Sequence, residues 1–341
     1  MNVLISEENA ANAKRLKLGF LGVGWIGRHR MKAILGSGVA EAVAIADPST
    51  NMAREALALA PDARIVADLN GLLEQELDGV VIATPSAAHA EQSIRGLGAG
   101  FAVFCQKPLG RTASEVRAVV DASRTADRLL GVDLSYRHTQ GMQQIRQLIH
   151  SNALGKIFAA DLTFHNAYGP DKPWFYDKSQ SGGGCVIDLG VHLVDLALWC
   201  LDFPSVTNVT SALRAGGKRL ENNGQVEDFA AATLTLAGGE IIRLTCSWRL
   251  NAGCDAEIGA DFFGTEGGAS FRNVDGSFYD FTAVRMSGTS SETLALPPDD
   301  WGGRAAVDWA RKLAGGQRYD PACENFIAVA EAIDGIYGAG M

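Results

Sequence analysis

The chain has 341 residues, 47% hydrophobic and 20% charged, with a formal net charge of −9: enough for two cores, and without the basic face that a nucleic-acid footprint needs. No run of about 18 consecutive apolar residues marks a membrane span, and Met1–Arg15 lack the apolar centre of a secretory signal, so a cytoplasmic protein with a frayed extension over 1–15 is expected. Six cysteines without C-x-x-C spacing, and without histidines at zinc-ligand spacing, predict free thiols and no metal site.

Residues 16–138 read as a Rossmann dinucleotide-binding domain. A strand at Leu18–Leu21 runs into Gly22-Val23-Gly24-Trp25-Ile26-Gly27, and a helix is predicted over Trp25–Leu35. In this G-x-G-x-x-G, Gly22 permits the tight turn, Gly24 lets the backbone approach a pyrophosphate, and Gly27 lets helix pack on strand. The helix N-terminus offers its unpaired N–H groups to the phosphates. A second strand, Val43–Ala46, ends at Asp47, twenty residues after Gly27. A carboxylate there accepts the ribose hydroxyls of an adenosine, which favours NAD. Arg54 beyond it keeps NADP open.

Further strands are predicted at Val80–Ala83, Phe101–Phe104 and Leu129–Val132. They alternate with helices at Met52–Ala60, Leu69–Glu76, Ala88–Leu97 and Ala113–Asp127. Such alternation implies a parallel sheet with right-handed crossovers. Ligands bind beyond the carboxyl ends of its strands. That rule gathers Asp47, Thr84-Pro85-Ser86, Gln106-Lys107-Pro108 and Tyr136-Arg137-His138 around one crevice.

The pattern changes after residue 139. A helix at Met142–His150 and a strand at Lys156–Phe164 lead into an aromatic, irregular stretch. Strands follow at Phe229–Leu236, Glu240–Trp248, Ala256–Gly264 and Ala269–Phe271. Strands in succession predict a mainly antiparallel sheet, with helices only at Val191–Leu201 and Ala305–Leu313. Residues 139–321 are therefore assigned to a substrate-binding α/β domain. An amphipathic helix, Ala322–Tyr337 within 322–341, is placed to return to the first domain.

Four constellations carry chemistry. Lys107 follows a strand aimed at the crevice, and Pro108 holds it extended; its ammonium suits a substrate hydroxyl, against the reading of a solvated lysine. Asp188, His192 and Asp195 are spaced i, i+4, i+7 behind the glycine run 182–184, sharing one face if the segment is helical. Histidine suits proton transfer near neutrality, whereas the structural readings are an N-cap aspartate and a hydrogen-bonded core histidine. Thr84, Pro85 and Ser86 line the cofactor groove, with Ser86 capping the next helix. His89, inside that helix, joins this set as a structural residue. Tyr168, Trp174, Phe175 and Tyr176 offer faces to a sugar ring, or form a patch at an oligomer contact. Arg137 binds substrate or pairs with an acidic neighbour.

Together these segments resemble the glucose–fructose oxidoreductase/inositol dehydrogenase family over Leu16 to about Tyr337. Supporting stretches are Thr84-Pro85 with His89, Tyr136-Arg137, Leu154-Gly155-Lys156-Ile157, Asp188-Leu189-Gly190-Val191-His192, Glu227-Asp228-Phe229, Ser247-Trp248 and Gly264-Thr265-Glu266-Gly267. The resemblance implies a C-terminal α/β domain on a large open sheet, whose exposed face makes homodimers or homotetramers. It implies that Lys107, Asp188 and His192 are catalytic. The substrate hydroxyl would lose its proton to the histidine with help from the lysine, and its hydride to nicotinamide C4. The expected cofactor set is Gly22, Gly24, Trp25, Ile26, Gly27, Asp47, Thr84, Pro85, Ser86, His89, Gln106, Lys107, Pro108 and Tyr136. The expected substrate set is Lys107, Arg137, Tyr168, Trp174, Asp188 and His192. One departure stands out: the family usually has glutamate where this chain has Gln106. The missing charge predicts that Lys107 holds its proton less tightly, so that Gln106→Glu shifts the alkaline limb of the pH–rate profile.

The expected activity is NAD(P)-dependent oxidation of a hydroxyl on a sugar, inositol or related polyol, without nucleic-acid or membrane partners. The competing readings are a dinucleotide-binding sensor without turnover, and a hydrolase or lyase that uses tightly held NAD for transient oxidation.

Overall fold

The computed structural model describes residues 15–221 and 224–340. Of the expected extension 1–15, all but Arg15 lies outside the described residues. The first region is a six-stranded parallel sheet of β1 (Leu16–Leu21), β2 (Ala40–Ala46), β3 (Arg64–Val66), β4 (Gly79–Ile82), β5 (Ala102–Cys105) and β6 (Leu130–Val132), in the order β3-β2-β1-β4-β5-β6. Helices α1 (Trp25–Gly36), α2 (Thr50–Leu57), α3 (Leu69–Leu73), α4 (Ser86–Gly98) and α5 (Ala113–Ala126) connect the strands. Every residue of β4 and β5 is buried, as expected of central strands covered on both faces. β3 has no counterpart among the predicted strands: it is a three-residue edge strand with two exposed residues, too short to carry a period. The strand order reverses between β1 and β4, leaving a crevice beyond their carboxyl ends.

After α6 (Gln140–His150) the chain builds a nine-stranded sheet from β7 (Ile157–Asn166), β8 (Val206–Ala215), β9 (Lys218–Arg219), β10 (Phe229–Leu236), β11 (Ile241–Ser247), β12 (Ala256–Gly264), β13 (Gly268–Asn273), β14 (Phe281–Ser287) and β15 (Ser290–Ala295). The order is β15-β14-β13-β12-β7-β11-β10-β8-β9, antiparallel apart from the β7/β11 pair. The sequence reading lacks β8, β9, β14 and β15, which form the two flanks of the sheet. β15 is exposed over four of its six residues, and β8 has a single buried residue, so neither shows apolar alternation.

Between β7 and β8 lie the short helix α7 (Lys178–Ser181), a π-helical turn Val186–Gly190, and α8 (Val191–Cys200). Lys178–Cys200 is long and apolar enough to cross a membrane by length and composition, but it is buried inside the protein. Every residue of α8 is buried, in one core with Leu162, Phe164, Leu244 and Phe262 of the sheet.

The last two helices cross between regions. α9 (Arg304–Ala314) was assigned with the second domain. Its Ala305, Ala306, Trp309 and Ala310 instead share a core with Leu18, Phe20, Val81 and Phe104 of the first sheet. The indole of Trp309 stands 5.7 Å from the ring of Phe104, over Gly79 and Gly131, where a side chain would collide with it. The final helix α10 (Asn325–Gly340) serves both cores. Ile327 packs with Leu97, Val116 and Val120, whereas Val329, Ile333 and Ile336 belong with α8 and the second sheet.

Candidate active site

The glycine turn after β1 is built as its spacing predicts. Gly22 has φ +79°, and a Cβ there would lie 2.6 Å from the Ala83 carbonyl oxygen; one on Gly27 would lie 2.1 Å from that of Gly22. Gly24 differs, since nothing stands within 4 Å of its Cβ position. The protein's own packing does not require a glycine there, and the open space lies where a pyrophosphate would approach. α1 begins at this point without a side-chain cap, which leaves its first N–H groups free for an anion. At the end of β2, Asp47 accepts the N–H of Val23 through Oδ2 and that of Ser49 through Oδ1, each at 2.8 Å. This fixes the carboxylate while leaving each oxygen a second lone pair. These features fit a dinucleotide.

A cleft of about 700 Å³ opens between the two sheets. Gly24, Trp25, Ile26, Thr84, Pro85, Ser86, His89, Gln106, Lys107, Pro108 and Tyr136 line it from the first region, and Trp174, Phe175, Asp188 and His192 from the second. Gly22, Gly27 and Asp47 do not line it: Gly22 lies within the turn, Gly27 is packed on it from the start of α1, and Asp47 at the end of β2 is engaged with that turn. Ser86 is the first residue of α4 rather than its cap, a position taken by Pro85 with no side-chain hydrogen bond. His89 is buried, with Nδ1 at 2.6 Å from the Pro108 carbonyl and Nε2 at 2.7 Å from that of Thr84. It ties the turn after β4 to the turn after β5, a structural duty. Burial pushes its imidazole below the ordinary range, and the two carbonyls oppose that shift.

Lys107 reaches across to the second region. Its Nζ donates to the Asp188 carbonyl at 2.7 Å and to Asp188 Oδ1 at 2.8 Å, while Asp188 Oδ2 accepts the indole N–H of Trp248 at 3.1 Å. The glycine run sets up this corner. A Cβ on Gly184 would lie 1.9 Å from the Glu227 carbonyl oxygen, so only glycine fits there. The buried Glu227 carboxylate accepts the N–H of Gly184 (3.0 Å) and Val186 (2.9 Å) and the hydroxyl of Tyr337 on α10 (2.9 Å). Burial pushes that carboxyl above its usual range, against these three donors. The π-helical turn thus starts from a fixed base and delivers Asp188 and His192 to the cleft.

His192 stands edge-on to the ring of Tyr136, 5.0 Å between centroids. Among the described residues it has no hydrogen-bond partner. Burial pushes its imidazole well below its usual range, and the charges of Lys107 and Arg30 add to the effect. At neutral pH it is therefore an uncharged base, facing the same cleft as the Lys107 ammonium.

Three expected members of the site lie elsewhere. Asp195, nearly two turns beyond Asp188, is behind the cleft wall, where Arg137 grips it with Nε at 2.8 Å from Oδ2 and with Nη2 on Oδ1. The guanidinium sits among the rings of Trp199, Phe203 and Phe326. Arg137 thus pairs with an acidic neighbour and does not line the cleft. Tyr168 is half exposed and off the cleft wall, with Phe278 as its nearest ring at 6.3 Å. Trp174 does line the cleft, stacked on Phe175 at 3.8 Å.

The cleft also includes residues absent from the sequence reading: Arg30, Asp133, Ser135, Phe278, Tyr279 and the loop Asp299–Gly302. Asp133 and Ser135 follow β6, so the strand-end rule already covered them. The loop carried no motif. Its Trp301 donates to the Tyr279 carbonyl at 2.9 Å and lies 4.9 Å from the ring of Tyr136.

Residues 16–134 match the oxidoreductase family with the NAD-binding Rossmann fold, and residues 142–270 match the GFO/IDH/MocA C-terminal domain. D-glucoside 3-dehydrogenase of Escherichia coli K12 is 29% identical over 210 residues, 58% of this chain and 60% of the relative. Inositol 2-dehydrogenase of Rhizobium meliloti is 27% identical over 76% of each chain. The chain thus spans about three fifths of the length of the first of these relatives. A structure of levoglucosan dehydrogenase with NADH and levoglucosan superposes with a TM-score of 0.82 at 22% identity, over 96% of this chain and 97% of that one. That likeness concerns the fold. The chain carries an NAD-binding Rossmann domain, and with both of its regions matched it belongs to the GFO/IDH/MocA oxidoreductase family.

Proposed function

We propose that the protein is an NAD-dependent dehydrogenase acting on a hydroxyl of a sugar, inositol or related polyol. The observation that carries this reading is the pairing, in one cleft beside the open start of α1, of a lysine ammonium with an uncharged, unpartnered imidazole. Two of the Lys107 protons are held by Asp188, which leaves the third for a substrate hydroxyl oxygen. Trp248 and the π-helical turn keep Asp188, and so the ammonium, in place. His192 takes the hydroxyl proton as the oxygen becomes a carbonyl, and the ammonium steadies the negative charge that builds there. The bound nicotinamide supplies the acceptor for the hydride. Trp174 and Phe175 offer an apolar face to the C–H side of the ring.

Asp47 supports a preference for NAD, since a carboxylate repels a 2′-phosphate. The six unpaired cysteines suit a reducing cytoplasm. Phe158 and Ile241, exposed on β7 and β11, support a homo-oligomer formed through the second sheet. The deciding experiment is a panel of sugars, inositols and sugar acids read by the absorbance of reduced nicotinamide. Turnover with at least one neutral polyol, lost in His192→Asn, is expected. A wild-type protein that binds NAD and oxidises none of the panel would defeat the reading.

A further inference from the structure

A closed polar network lies just behind Lys107, and the mechanism above does not use it. Its centre is Asp133, 1% exposed, at the end of β6. Oδ2 accepts Arg30 Nε at 2.5 Å and Gln106 Nε2 at 2.7 Å, and Oδ1 accepts the Ser135 hydroxyl at 2.5 Å. Arg30, from α1, also donates to Ser135 Oγ at 3.1 Å and to the Gly302 carbonyl. The other end of the Gln106 amide, Oε1, accepts the backbone N–H of Lys107 at 2.9 Å.

The direction of each bond is fixed. Gln106 must present a donor to Asp133 and a carbonyl to Lys107; an amide does both at every pH, whereas a carboxyl does so only while protonated. An ionised glutamate at 106 would set two carboxylates in contact, with one guanidinium to serve both. The sequence reading treated Gln106 as charge missing beside the Lys107 ammonium. The side chain does not face that ammonium: it contacts the Lys107 backbone, and the carboxylate of this corner stands at Asp133. Gln106→Glu should therefore move the alkaline limb for a different reason, through the proton shared with Asp133 and not through the Lys107 ammonium.

We propose that Asp133 is a positioning residue that sets Lys107 for reaction, acting through the Gln106 amide, and that glutamine is required at 106 because the carboxylate is supplied from 133. This rests on the dehydrogenase reading for the role of Lys107, but the network can be tested without it. The charged or titratable groups around the pair are Arg30 and His29 on α1, Cys105 and Lys107 on β5 and its end, and His138 after β6. Burial holds His29 and His138 below the usual imidazole range and pushes the Cys105 thiol up to about 12.

The test uses the full chain as wild type, Gln106→Glu, and the swapped pair Gln106→Glu/Asp133→Asn. The swap moves the carboxylate to 106 and an amide to 133, so the network keeps one carboxylate, which Asp133→Asn alone would remove. Because one oxygen of Asp133 accepts from both Arg30 and Gln106, the amide at 133 can satisfy only one of those two partners. Two carboxyl groups in contact hold one proton between them, and lose it as pH rises. In Gln106→Glu the folded state thus has a raised carboxyl pKa, so stability present at low pH is lost as pH climbs through that value. The apo protein should melt progressively below wild type as pH rises from about 5 to about 8. Its kcat at the upper limit should fall about 100-fold, as a misplaced catalytic group does, and recover toward acid pH, whereas the swapped pair should regain part of that loss without the pH dependence.

A Gln106→Glu protein with wild-type kcat, or a swapped pair no better than the single variant, would overturn the proposal. Melting that follows the expected pattern while kcat stays at the wild-type level would leave a structural network and remove the positioning role. If the wild type oxidises nothing, the melting series still decides whether the carboxylate pair forms.

Discussion

The two ends of the segment Val186–Cys200 carry the same chemistry to different purposes. At each end an aspartate pairs with a cation from the first region: Asp188 with Lys107, Asp195 with Arg137. At the first end the π-helical turn opens the pair to the cleft, and the carboxylate is shared with an indole N–H. At the other, the carboxylate is 2% exposed, the guanidinium is boxed in by aromatic rings, and burial raises the carboxyl against the pull of Arg137. A lysine, a compact charge with protons to spare, is suited to meeting a substrate. An arginine whose fork is filled by one carboxylate is suited to locking two regions together. The difference teaches that ion-pair chemistry alone does not mark a site; access to the pair does.

That contrast can be broken experimentally. The largest effect is expected from Lys107→Met. It should lower kcat/KM by about 10²–10⁴, the usual contribution of a positioned proton donor or acceptor. It should change the melting temperature little, because Asp188 retains Trp248 and the solvent of the cleft; steady-state rates and thermal melts on one preparation check both. Arg137→Ala should do the reverse. Removing one partner of a buried pair costs about 3–5 kcal/mol, read from denaturant midpoints, while the protein that remains folded keeps its kcat. A loss of kcat larger than the loss of folded protein would return Arg137 to the substrate site.

The pH profile gives a smaller effect. His192 must be uncharged to accept a proton, and its pKa lies well below the ordinary imidazole value, so the acid limb of kcat/KM should fall below about pH 6.5. In Lys107→Met the residual limb should move up, because a cation that disfavours the imidazolium has gone. The shift should be partial, since burial is the larger cause. The smallest effect is expected at Arg243, two-thirds exposed and paired with Asp161 on the second sheet. Arg243→Ala should leave the denaturant midpoint close to that of wild type, in contrast to Arg137→Ala measured the same way.

Much of the cofactor half of the site was legible because its logic is local. The glycine turn, the acidic end of β2 and the polar residues after each strand are each set by a few neighbouring positions. Lys107 and His192 were also readable, one from its strand end and one from its spacing to Asp188. What escaped depended on distant partners. Arg137 became structural because Asp195, 58 positions on, claimed it. Gln106 carried the wrong inference because its partner stands 27 positions away. Among the flanking strands of the second sheet, β9 and β15 are mostly exposed and β8 has a single buried residue, which erases the apolar alternation that marks a strand; β14, with Phe281 and Ala283 buried, has only a short alternation. α9 was misassigned because its order in the chain says nothing of which sheet its tryptophan fills.

The seat of Trp309 also bears on biosynthesis. The first sheet begins at residue 16, yet the indole that fills the space over Gly79 and Gly131 comes from position 309, after every strand of both sheets. When the N-terminal unit folds while the rest is being translated, as is usual, this part of its core stays unfilled until α9 is made. A product terminated before residue 304 would leave an apolar trough for chaperones or proteases to find.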